Sequence, residues 1–83
     1  MDYQLVFKPR ATKDLKSLSA VDSERVVNAI EKLKKDLTGD VKRLRNFSPG
    51  FRLRVGDYRV LFEVEKDTLE IYRVLHRREA YRN

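Results

Sequence analysis

Three arginines, Arg52, Arg54 and Arg59, flank a Gly56-Asp57 pair in the run Phe51-Arg52-Leu53-Arg54-Val55-Gly56-Asp57-Tyr58-Arg59-Val60-Leu61-Phe62. Apolar and polar residues alternate at period two on both sides of the glycine, the pattern of a β-hairpin closed by a two-residue turn. That turn places Arg54 opposite Arg59 and Arg52 opposite Leu61. The three guanidiniums then share one face, and Phe51, Leu53, Val55, Tyr58, Val60 and Phe62 share the other. Like charges directly opposite one another on a sheet cost a few tenths to about 1 kcal/mol per pair. A bound anion offsets that cost, and phosphate presents the oxygen geometry onto which guanidiniums fork.

A further strand is expected from Leu69 to His76. Carrying the register across a Lys66-Asp67 turn puts Arg59 opposite Val74, Leu61 opposite Tyr72, and His76 on the arginine face. Arg77, Arg78, Glu79, Ala80, Tyr81 and Arg82 follow directly. Histidine is the residue type suited to moving protons near neutral pH, so His76, the one histidine of the chain, is a candidate proton carrier. Arg73 breaks the pattern, because this register sends it to the opposite side or requires a slip.

These groups need a scaffold, and 83 residues allow one domain, spanning 1–83. The apolar fraction of 41% is enough for a modest core beside 39% charged residues. With no cysteine and one histidine, the sequence offers no disulfide, no thiolate nucleophile and no zinc framework. No metal and no cofactor are expected. The formal charge of +6 is uneven: residues 1–41 hold eight basic and seven acidic side chains, residues 42–83 eleven and six. A basic half of this kind is an electrostatic footprint for a polyanion, of which nucleic acid is the commonest. No apolar run approaches the ~20 residues of a membrane span, and the start lacks a basic segment followed by an apolar one. The chain reads as cytoplasmic, without a membrane partner.

Tyr3, Leu5 and Phe7 alternate as in a first strand, which ends near Lys8-Pro9. Pro9 suits the first turn of a helix, whose apolar stripe is Ala11, Leu15 and Leu18. Ser19 is an N-cap for a second helix with the stripe Val26, Ile30, Leu33 and Leu37, stopped by Gly39. Residues 39–50 read as an ordered surface loop anchored by Leu44 and Phe47. The result is an α+β fold in the order β-α-α-β-β-β, a mainly antiparallel sheet with two helices packed on one face.

The hairpin run, followed by His76-Arg77-Arg78-Glu79-Ala80-Tyr81-Arg82, resembles the C-terminal half of the RelE family of bacterial and archaeal toxins. The Pro9-Arg10-Ala11 helix start and the element order are also similar, so the likeness covers essentially the whole chain. The resemblance implies the toxin of a toxin-antitoxin pair: a metal-independent endoribonuclease that cuts mRNA in the ribosomal A site and is silenced by a RelB-like antitoxin. Arg59 and Arg77 match arginines that the family places at the scissile phosphate, and Tyr81 matches its C-terminal tyrosine, here assigned to stacking on or orienting a nucleotide. Where this chain has Arg52 and Arg54, many members carry lysines, one of them proposed as the general base. Arginine does not readily release its proton. The sequence therefore assigns His76 to proton transfer, with Arg52 and Arg54 holding phosphates. Lys32, Lys34, Lys35, Lys42, Arg43 and Arg45, with Arg78, form a second basic group that suits docking to ribosomal RNA or a solvated face. The competing reading is the ParE branch of the same superfamily, which poisons DNA gyrase without nuclease activity. A third is a binding module without catalysis.

Overall fold

The computed structural model describes residues 2–80. Five strands form one sheet in the order β1-β5-β4-β3-β2: β1 is Gln4–Phe7, β2 Val41–Arg43, β3 Phe51–Val55, β4 Tyr58–Glu65 and β5 Thr68–His76. The central pairings are antiparallel, whereas β1 runs parallel to β5. The helices α1 (Pro9–Ser17) and α2 (Ala20–Leu33) connect β1 to the far edge of the sheet. Among the described residues, no helix is long and apolar enough to cross a membrane.

The helices begin where local chemistry directs them. Pro9 occupies the first turn of α1, where its missing N–H costs nothing. Ser19 caps α2, its hydroxyl accepting from the Asp22 N–H at 3.1 Å. Both stripes reach one core: Ala11 from α1 and Val26, Ile30 and Leu33 from α2 pack with Leu53, Val60, Phe62, Leu69, Ile71 and Val74 of the sheet. Burying such aliphatic and aromatic side chains contributes about 1.5–3 kcal/mol each.

Two expectations are corrected at the end of α2. The helix stops at Leu33, one turn short of Leu37, because Asp36 and Leu37 both turn left-handed with φ of 56°. Leu37 still packs against the core, from a turn instead of from a helix. Gly39 is not the helix stop. A Cβ there would lie 2.7 Å from Leu53 Cδ1, so its role is to let the chain pass close to β3. The loop beyond it contains the edge strand β2, too short at three residues to announce itself by alternation.

The β3–β4 register is the expected one, with Arg54 opposite Arg59 and Arg52 opposite Leu61. The β4–β5 register begins as expected, with Glu65 opposite Thr68 and Phe62 opposite Ile71. A bulge between Leu61 and Phe62 then shifts it by one residue. Arg59 therefore faces Leu75, not Val74; Leu61 faces Arg73, not Tyr72; and His76 faces Tyr58.

Candidate nucleic-acid interface

The hairpin turn between β3 and β4 uses Gly56 at φ of +56°, where a Cβ would also come within 3.3 Å of the Arg25 guanidinium. Strand alternation then directs Arg52, Arg54 and Arg59 to the face of the sheet away from the helices. On β2, Lys42 pairs with Arg52 across the ladder, so its side chain joins the same face. Lys42, Leu44, Arg52, Arg54 and Arg59 line an open groove of about 400 Å³. Leu61, on the same side of β4, is buried.

Among the described residues, one carboxylate, Asp40, meets these cations. Arg52 Nη1 donates to the Asp40 carbonyl at 2.9 Å and to its Oδ1 at 3.3 Å, and Arg54 Nε lies 3.8 Å from Asp40 Oδ2. Glu63 and Glu70, the natural partners on neighbouring strands, are engaged elsewhere. Glu63 accepts from the Gly50 N–H at 2.9 Å, and Glu70 lies 3.5 Å from Lys8 Nζ. Arg59 Nη1 donates to the Gly56 and Tyr58 carbonyls, both at 2.9 Å, and among the described residues no carboxylate pairs with it. Exposed pairs such as Arg54–Asp40 contribute about 0–1 kcal/mol. Four cations against this one carboxylate among the described residues leave the groove net positive.

The C-terminal candidates divide. Arg77 is anchored on the same turn as Arg59: its N–H donates to the Asp57 carbonyl at 2.7 Å, and its Nε lies 3.9 Å from Asp57 Oδ1. His76 is not on the arginine face. The bulge turns it toward the helices, edge-on to Tyr58 with ring centroids 5.6 Å apart, where both line a 100 Å³ cavity with Asp22, Arg25, Val26, Val55 and Asp57. Its Nδ1 accepts from the Arg78 N–H at 3.2 Å and its carbonyl from the Glu79 N–H at 2.8 Å, so it shapes the turn after β5. Tyr81 lies outside the described residues.

The second basic group does not form one patch. Lys32, Lys34 and Lys35 sit at the C-terminal end of α2, roughly 20 Å along the helix from the hairpin turn by helical rise. Lys34 there lies 3.7 Å from Glu31. Lys42, Arg43 and Arg45 instead line a second groove of about 460 Å³ with Leu44 and Phe47, continuous with the first through Lys42 and Leu44. Arg43 also lies 5.7 Å over the Phe51 ring. Sequence reading missed that Lys42 belongs with the hairpin arginines and that Asp40 meets them. The unrecognised strand β2 is the reason for both.

On the helix side, the Tyr58 hydroxyl donates to Asp22 Oδ2 at 3.2 Å. Burial, then that bond and the charges of Asp22 and Asp57, push the phenol above its ordinary value of 10.0. The folded state therefore favours the neutral phenol. The resulting stabilisation is intact below about pH 10 and is lost as pH rises through the folded-state value. In thermal unfolding followed against pH, Tyr58→Phe should show a shallower decline above pH 10 than the parent; parallel curves would show that this bond is not coupled to folding.

Comparison with known proteins agrees with this architecture. Residues 5–81 match the family described as the ParE toxin of the type II toxin-antitoxin system, parDE. The chain is 34% identical over 83 residues to Toxin RelE3 of Methanocaldococcus jannaschii, covering 94% of each. The RelB-RelE antitoxin-toxin complex from Methanococcus jannaschii contains a chain that superposes with a TM-score of 0.75 at 32% identity, over 92% of this chain and 94% of that one. For the toxin-antitoxin complex RelBE2 of Mycobacterium tuberculosis the TM-score is 0.79 at 30% identity, over 92% and 99%. By its sheet order, its helix placement and a match that runs nearly end to end, the chain belongs to the RelE/ParE family of toxins of type II toxin-antitoxin systems.

Proposed function

We propose that the protein is a metal-independent endoribonuclease that cuts mRNA in the ribosomal A site and is held silent by a RelB-like antitoxin. The observation that carries this reading is the groove in which Lys42, Arg52, Arg54 and Arg59 converge from three strands against one carboxylate. Cleavage by the RNA's own 2′-hydroxyl places extra negative charge on a pentacoordinate phosphorus, and fixed guanidiniums aimed at that charge are the main stabilisation a protein can offer. Arg59, tethered by two backbone carbonyls, is oriented in advance, and Arg77 joins it from the same turn. Tyr81 is assigned to a flanking nucleotide. The second groove, with Arg43, Arg45 and Phe47, continues the cationic track along an RNA strand or ribosomal RNA.

The solved RelB-RelE complexes similar to this chain support an antitoxin partner. An acidic, amphipathic segment would neutralise the arginine groove on binding. The resemblance to ParE toxins defines the competing outcome, gyrase poisoning. Purified protein added to translating ribosomes should yield message 5′ ends within the A-site codon, while gyrase supercoiling continues in a parallel reaction. Intact message with arrested supercoiling would reverse the assignment.

A further inference from the structure

The groove holds three guanidiniums, which are poor proton donors, and one ammonium, a better one once a strong base forms beside it. His76 faces the other side of the sheet, and Asp40, which pairs with Arg52 and Arg54 from beside the groove, is not among the residues that line it. Among the described residues lining the groove, Lys42 is thus the one side chain able to deliver a proton to a bound phosphodiester. Its position follows from the ladder: β2 pairs Lys42 with Arg52, so both residues sit on the same face of the sheet and line the same groove. No carboxylate among the described residues holds it back.

Building on the ribonuclease reading, we propose that Lys42 is the general acid of cleavage, protonating the departing 5′-oxygen. Lysine is the natural acid for this task, since it carries its proton at neutral pH while an alkoxide leaving group takes one readily. In the step, the 2′-oxygen forms a bond to phosphorus and its proton passes to water. The bond from phosphorus to the 5′-oxygen breaks, and that oxygen takes the proton from Lys42 Nζ. The products are a 2′,3′-cyclic phosphate and a free 5′-hydroxyl, and the neutral amine recovers its proton from solvent. Arg52, Arg54 and Arg59 hold the phosphate oxygens throughout.

The test compares two messages in the A site of programmed ribosomes, one with an ordinary 5′-oxygen at the scissile linkage and one with a bridging 5′-sulfur, a leaving group that departs without protonation. On the oxygen substrate, Lys42→Ala and Lys42→Arg should both cut on the order of 10² more slowly than the parent, because general acid catalysis contributes about that much. On the sulfur substrate both variants should return to within about threefold of the parent. Lys42→Arg at parental speed would show that only the charge matters and would overturn the proposal, as would a defect that persists with sulfur. If the parent itself leaves both messages whole, the ribonuclease reading fails and this inference fails with it; if the parent cuts and the variants match it, only the inference fails.

Discussion

Arg59→Ala should lower ribosome-dependent message cleavage by about 10²–10³-fold, the loss typical of removing one preorganised donor to a developing oxyanion. The size of the effect follows from how this arginine is held. Nη1 is fixed by the Gly56 and Tyr58 carbonyls, both at 2.9 Å, so the remainder of the guanidinium is positioned before substrate arrives. Arg52 and Arg54 share Asp40 and must reorganise when a phosphate enters. Arg59→Lys keeps the charge but loses the fork, and should fall between the parent and the alanine variant. Single-turnover rates on saturated ribosomes measure this directly. A loss below fivefold for Arg59→Ala would place the scissile phosphate away from this groove.

Asp14→Ala should destabilise the fold by about 2–4 kcal/mol, by the usual cost of stranding partly buried polar and charged partners. Strand β1 covers β5 only as far as Ile71, so beyond that point the β5 edge faces α1. There Asp14 Oδ2 accepts from the Arg73 Nε at 2.8 Å and from the Val74 N–H at 2.9 Å, while Oδ1 accepts from Arg73 Nη2 at 3.1 Å. The same contact pushes the Arg73 guanidinium further toward its protonated form. Alanine at position 14 leaves a backbone donor and a guanidinium without partners at once. For a domain of this size the midpoint of thermal unfolding should fall by roughly 10–20 °C. Arg73→Ala should cost less, because the carboxylate still accepts from Val74. A midpoint within about 2 °C of the parent for Asp14→Ala would mean that solvent replaces the clamp.

The sequence made much of this architecture legible, for identifiable reasons. Gly56-Asp57 admits one register, so the opposition of Arg54 and Arg59 could be read before any coordinates. Pro9, Ser19 and the two apolar stripes mark the helix starts because capping and amphipathicity are local properties. What stayed hidden was non-local or brief. β2 is three residues inside a polar connection, and without it Lys42 looked like part of a diffuse basic surface and Asp40 went unnoticed. The end of α2 was overextended because Leu37 keeps the helical spacing while reaching the core from a left-handed turn. Arg73 was the one sign that the β4–β5 register slips, and its partner Asp14, on α1, has no sequence signature.

The bulge between Leu61 and Phe62 acts as a parity switch. Before it, odd-numbered residues of β5 such as Leu69 and Ile71 point into the core; after it, even-numbered ones such as Val74 do. Paired straight through without the bulge, the same residues of β5 would leave the sheet in the opposite phase. The imidazole would then stand among the guanidiniums, and Leu75 would take its place beside the helices. Which side of the sheet the imidazole faces is thus decided by one residue of β5 that the ladder skips, not by which residues the strand contains.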